Sequence, residues 1–182
     1  SSCPSEFKHR LYEIVQVAKV ALETKRKVIE SQTDNGLYPY SAHYLRNVKA
    51  RSGEYWFNHF NTIGIVGMNE ALLNLIGKDI TTDEGRKLAV DIMNYLRGII
   101  KDIQEETGHF YNLEATPAEG ASHRLAKLDK SRYPDIITAG REVPYYTNST
   151  QVPVGYSDDL FEVVELQDEL QSLYTGGTVL HL

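Results

Sequence analysis

Apolar residues recur at three- and four-residue steps through Phe7, Leu11, Ile14, Ala18, Leu22 and Ile29, so residues 5–32 read as a long amphipathic helix, with Pro4 suited to its first turn. The opposite face carries Lys8, Arg10, Lys19, Lys25, Arg26 and Lys27 and is expected to be solvated. Thr33, Asp34, Asn35 and Gly36 end this helix, and irregular chain is expected through Tyr38, Pro39 and Tyr40 towards Tyr44, Arg46 and Lys49. Residues 62–66 form a branched apolar run bordered by glycines, the pattern of a buried strand, and residues 68–76 fit a short helix stopped by Gly77. Thr81 and Glu84 have capping-box spacing ahead of Leu88, Ile92, Leu96, Ile99 and Ile103, which share one helical face until Gly108. A second strand is predicted at 110–115, a helix at 119–131, a loop over 134–144 with room for a helical turn, and a third strand at 145–154. Ser157 is placed to cap a last helix lined by Leu160, Val163, Leu166, Leu170 and Leu173, after which Gly176 and Gly177 precede one more strand at 178–182.

Helices and apolar strands therefore alternate, with long connections and strands that read as buried on both faces. This predicts a parallel α/β fold, an open sheet or a closed barrel, with residues 1–182 in one domain. There is no internal repeat and no low-complexity segment. A natural domain rarely finishes inside an apolar strand, so a portion of a longer polypeptide is expected.

Composition narrows the picture mainly by exclusion. The 182 residues can bury a sizeable core, and no apolar run approaches the roughly 20 residues of a membrane span. No basic-then-apolar leader opens the chain, which makes a cytoplasmic protein the expectation. A formal charge of −6 without a long basic run argues against a general nucleic-acid binder, yet one local positive pocket is enough for a small phosphorylated ligand. Cys3 is the only cysteine, which excludes an internal disulfide and a cysteine-based zinc site. With no basic neighbour within three residues it reads as an incidental residue more readily than as a reactive thiol. The six histidines show no HxxxH or HxH pairing, so no metal is expected in this chain.

Candidate chemistry concentrates in YNLEATPAEGASHRLAKLDK at 111–130, where a strand pattern runs into a helix. Such junctions are where open sheets and barrels keep their sites. Glu114 places an ionisable side chain inside the strand, which is costly without a partner or a role, and a structural and a catalytic carboxylate are both compatible. Thr116 and Pro117 lead to Glu119, Gly120 and Ser122 at a helix start, where free amides and the helix dipole favour an anion such as phosphate. An ordinary strand-to-helix turn is the alternative, and Arg124 and Lys127 would add charge only if they face the turn. Tyr111, Tyr145, Tyr146 and Asn148 at strand ends could bond a sugar hydroxyl. The aromatic run RSGEYWFNHF at 51–60 could stack a base, but plugging a core is the preferred reading. No GxGxxG, Gly-Lys-Ser/Thr or GxSxG motif is present.

Four stretches carry a resemblance: HFNTIGIVGMNEALLNLIG at 59–77, YNLEATPAEGASHRLAKLDKSRYPDI at 111–136, YYTNSTQVPVGY at 145–156 and LQDELQSLYTGGTVLHL at 166–182. Together with the Leu37-Tyr38-Pro39 segment and the helix before it, the chain resembles the catalytic subunit of the anaerobic (class III) ribonucleoside-triphosphate reductases, which are glycyl-radical enzymes. The resemblance implies part of a ten-stranded α/β barrel, truncated at both ends. It implies reduction of ribonucleoside triphosphates to deoxyribonucleoside triphosphates for DNA synthesis by glycyl and thiyl radicals. The radical would come from an S-adenosylmethionine/iron–sulfur activase, formate or a dithiol system would supply electrons, and the full-length protein would be a homodimer.

The resemblance also implies that the thiyl cysteine lies before Ser1, that the radical glycine and a structural zinc lie after Leu182, and that these residues alone are inactive. Cys3 is not assigned the thiyl role. By position, Tyr111 and Glu114 would face the ribose or reductant, Glu114 as acid/base at a hydroxyl. Thr116, Glu119, Gly120 and Ser122 would cradle phosphate, with Asn148 and Ser149 also at the substrate. Another glycyl-radical enzyme of the formate acetyltransferase type, and a non-catalytic nucleotide-binding module, are the competing readings.

Overall fold

The computed structural model describes residues 3–180 as a helix-rich α/β assembly around a short parallel sheet. Helix α1 (Pro4–Asp34) opens it with Pro4 in its first turn. Phe7, Leu11 and Leu22 pack on the core as predicted, but the third apolar contact is Val15, 3% exposed, while Ile14 faces outward. The basic face is not wholly solvated. Arg26 is buried, and its guanidinium donates to the carbonyls of Trp56 (2.6 Å) and His59 (2.5 Å), which the irregular 53–60 loop leaves without sheet partners.

The stretch expected to be irregular is instead helix α2 (Pro39–Ser52), closed by Gly53 at φ 84°. It buries no residue, so it had no apolar stripe to betray it. Its hold on α1 is ionic: Lys49 reaches Glu30 at 2.8 Å and Asp34 at 3.2 Å. The aromatic run that follows is a half-buried plug, with Trp56 Nε1 donating to Thr33 Oγ1 at 2.9 Å and Phe57 and Phe60 edging Phe110.

Strand β1 (Asn61–Ile65), helix α3 (Met68–Ile76), helix α4 (Asp83–Thr107) and strand β2 (Tyr111–Ala115) follow in the expected order, and the strands pair in parallel from Asn61↔Tyr111 to Ile65↔Ala115. The cap of α4 is Thr82, one residue after the predicted Thr81, and its Oγ1 accepts from the Gly85 amide at 3.1 Å. Ile92, Leu96, Ile99 and Ile103 of α4 join Tyr111, Leu113 and Ala115 in the buried cluster, with Ile63 and Ile65 packed against it. Leu113 is fully covered, a burial worth about 1.5–3 kcal/mol.

Helix α5 (Glu119–Arg132) and helix α6 (Leu160–Ser172) complete the chain. Asp159, rather than Ser157, caps α6, while Ser157 Oγ donates to Glu162 at 2.6 Å. The strand expected at 145–154 is not one: it makes only the bridges Ala139↔Tyr145 and Val66↔Asn148. Pro144 and Pro153 lack the amide a ladder needs, and Ser149 takes φ 48°. The last predicted strand is not formed among the described residues: Gly177, just before it, makes a parallel bridge to Glu114, residues 178–180 lie outside any ladder, and 181–182 lie outside the described residues.

Candidate active site

Strand alternation divides β2 into two faces. Tyr111, Leu113 and Ala115 turn into the core, whereas Asn112 and Glu114 share the other face with Thr62 and Gly64 of the partner strand. Glu114 is half-buried, lies in register with Gly64, and is bridged on its other side to Gly177. Glycines flank it on both sides, with the Thr116 side chain filling the space over Gly64, and its carboxylate makes no hydrogen bond or ion pair among the described residues. Gly64 is required by Thr116, since a Cβ at 64 would collide with the Thr116 hydroxyl. Gly176 is required by Asn112, whose side chain a Cβ at 176 would meet at 2.6 Å.

Beyond Thr116 the chain turns through Ala118 at φ 46° into α5, which has no side-chain cap. Its first amides are therefore left to an outside acceptor, and Glu119 and Gly120 are exposed there. Ser122 is not available for that purpose. It is 3% exposed and clamps the neighbouring chain, donating to the Tyr146 carbonyl (2.6 Å) and accepting from the Tyr146 amide (2.9 Å). Arg124 and Lys127 are exposed on α5.

Residues 146–149 cross the ends of both strands. Gly67 donates to the Thr147 carbonyl at 2.8 Å, Met68 to the Ser149 carbonyl at 3.2 Å, and Ser149 Oγ to the Thr116 carbonyl at 3.2 Å. Ser149 is thus buried and committed to the frame, while Asn148 beside it is half-buried with a side chain that makes no hydrogen bond among the described residues. Glu70, in the first turn of α3, holds this segment from behind, and the sequence reading did not single it out. An acidic residue inside the strongly apolar MNEALLNLI was the available signal.

Tyr111 does not join this face. Its hydroxyl donates to Glu23 of α1 at 2.5 Å, and burial together with that carboxylate holds its pKa well above the usual phenol range. Glu23 also meets His109 Nδ1 at 2.8 Å and Asn61 Nδ2 at 3.1 Å, and His109 Nε2 lies 3.4 Å from Glu54. This network ties α1 to the entry of both strands. Tyr146, on the other side, donates to Asp129 at 2.7 Å, and burial followed by that carboxylate again raises the phenol.

A cavity of about 440 Å³ lies against Tyr146, Asp129, Glu70 and Gly67, with Cys3 at its rim. The Cys3 thiol is exposed and its pKa is lowered mainly by Ser5, whose hydroxyl lies 3.0 Å away. Among the described residues no group of three or more His, Cys, Asp and Glu side chains is arranged to hold a metal. No described helix is long and apolar enough to cross a membrane.

A family model for anaerobic ribonucleoside-triphosphate reductase matches residues 3–182. Curated relatives of that name from phage T4 and Haemophilus influenzae are 31% identical over 121 residues and 26% over 120, each spanning 65% of this chain. The aligned part is only 18% and 17% of those proteins, respectively, so this chain corresponds to a small part of their length. The whole chain is also similar to the crystal structure of the anaerobic ribonucleotide reductase from Thermotoga maritima with citrate in the active site. That likeness has a TM-score of 0.75 at 25% identity and covers 32% of the solved chain.

Proposed function

The chain belongs to the anaerobic ribonucleoside-triphosphate reductase family, and from that premise we propose that it supplies one wall of the pocket in which a ribonucleoside triphosphate is reduced. The observation that carries this reading is Glu114: a strand carboxylate between Gly64 and Gly177, on the face that leads through Thr116 to the open start of α5. The ribose lies over Glu114 and the triphosphate over the amides of Glu119 and Gly120, where a helix start favours negative charge. Asn148 approaches the nucleotide from the crossing segment. Ser122 and Ser149 shape the pocket through the backbone they hold, and Tyr111 supports β2 from behind the sheet.

The Glu114 carboxylate accepts a hydrogen bond from a ribose hydroxyl. In its protonated form it returns the proton that a departing hydroxyl needs to leave as water. These residues would form part of a ten-stranded barrel of a cytoplasmic homodimer, and the radical, the S-adenosylmethionine/iron–sulfur activase that makes it, the formate or dithiol reductant and the structural zinc would act from outside them. A radical supplied from there would provide the hydrogen abstraction. The family match favours nucleotide reduction over the formate acetyltransferase type of chemistry and over a purely binding module.

In a full-length reductase carrying this segment, Glu114→Gln should lower nucleotide reduction about 10²-fold or more while glycyl-radical formation, read by electron paramagnetic resonance, stays intact. Unchanged turnover would remove Glu114 from the chemistry. Failure to form deoxyribonucleotide from any ribonucleoside triphosphate would remove the reaction.

A further inference from the structure

Glu70 is 1% exposed, yet none of the described Lys, Arg or His side chains forms an ion pair with it. A buried carboxylate without a counter-ion is expensive unless donors surround it. Here Oε2 accepts from the Thr147 amide at 2.9 Å, and Oε1 accepts from Thr147 Oγ1 at 2.6 Å and from Asn69 Nδ2 at 3.2 Å. Glu70 also lies in the first turn of α3, where the helix dipole favours negative charge. Both of the longer-range bonds go to one residue, Thr147, seventy-seven positions away and next to Asn148.

The backbone on either side is tied elsewhere, with Val66 bridging Asn148 and Met68 donating to the Ser149 carbonyl, but besides Glu70 nothing among the described residues bonds the amide or hydroxyl of Thr147. Its carbonyl accepts from Gly67, Tyr146 is held by Ser122, and Ser149 reaches the Thr116 carbonyl. Without Glu70, the Thr147 amide and hydroxyl would both lose their partner in a buried place. The segment would then be held across the strand ends by its remaining bonds alone, with Thr147 loosened between them. We propose that Glu70 is a positioning residue for the nucleotide: by fixing Thr147 it sets Asn148 and Ser149 against the turn at Thr116. This rests on the pocket reading given above.

The test is steady-state kinetics in a full-length reductase carrying this segment. Glu70→Ala should raise KM for the ribonucleoside triphosphate about tenfold with kcat within about twofold. Glu70→Gln should recover most of that loss, because its carbonyl can accept from the Thr147 amide while its NH₂ donates to the Thr147 hydroxyl. Thr147→Val should move KM in the same direction and add little to Glu70→Ala, since the two act through one contact. If Glu70→Ala does not fold, Thr147→Val alone carries the test.

A KM that stays at the wild-type value in the folded variants, whatever happens to Tm, overturns the inference. The pocket reading is judged separately by Glu114→Gln. If Glu114→Gln abolishes turnover while the Glu70 and Thr147 variants bind nucleotide normally, the pocket stands and the role of Glu70 falls.

Discussion

Tyr111 and Glu114 belong to the same strand but face opposite sides of the sheet, the phenol bonded to Glu23 of α1 and the carboxylate standing over the strand exits. Tyr111→Phe should therefore cost about 1–2 kcal/mol of stability and leave kcat within about twofold of wild type, the reverse of Glu114→Gln. The phenol is held un-ionised beyond its ordinary range by burial and then by Glu23. The stability it contributes is complete below the pH where an unfolded tyrosine ionises and is lost as pH climbs above that range. Urea unfolding between neutral pH and about pH 11 should show this alkaline decline weakened in Tyr111→Phe. Loss of turnover at unchanged stability would place Tyr111 in the chemistry after all.

Gly64 and Thr116 form a second dependent pair. Gly64→Ala would drive its Cβ into the Thr116 side chain, so the turn into α5 must move or the strands must part. The expected result is a loss of about 1–3 kcal/mol with a raised KM for the triphosphate. Thr116→Gly removes the obstructing atoms, so adding it to Gly64→Ala should restore part of the stability. Purely additive losses in denaturant would mean that Thr116 is not what the methyl meets.

Glu30 links α1, α2 and the aromatic loop. Burial pushes its carboxyl up, but hydrogen bonds from Lys49 and from the Tyr55 and Trp56 amides outweigh this and leave it below the ordinary carboxylate value. A depressed acid stabilises above its unfolded pKa and loses that contribution as pH falls through the folded value. Glu30→Gln should thus be less stable than wild type by about 1–3 kcal/mol at neutral pH, with the gap closing as pH falls below the ordinary carboxylate range. A gap that stays constant over that fall would mean that charge plays no part in the junction.

What could be read in advance followed from burial. The apolar faces of α4 and β2 are long, periodic and covered, and the sequence marked both; the parallel pairing followed from their alternation. Helix α2 buries nothing and is held by Lys49, so periodicity had no purchase on it. Residues 145–154 carry strand-like composition, but the Tyr146 and Thr147 amides are taken by Ser122 and Glu70, side chains distant in sequence. At the site, the strand-to-helix stretch around Glu114 was visible, whereas Glu70 showed only as an acidic residue in an apolar helix, because its role depends on Thr147 far along the chain. Tyr111 was grouped with Glu114 by motif, and strand alternation alone would have separated them.

Ser122 and Asn148 should respond oppositely to truncation although both border the same turn. Ser122 bonds the Tyr146 amide and carbonyl at once, so Ser122→Ala leaves two backbone groups unpaired where α5 meets the crossing segment. A cost of about 1–3 kcal/mol is expected, with faster hydrogen exchange at Tyr146 and Thr147 and a weaker hold on the triphosphate. Asn148 makes no side-chain bond among the described residues, so Asn148→Ala should leave Tm unchanged and raise KM by about tenfold if its amide meets the nucleotide. Measuring both variants in parallel separates the frame from the contact. Were Asn148→Ala to lower Tm while leaving KM alone, the crossing segment would be scaffold throughout and Asn148 would leave the pocket.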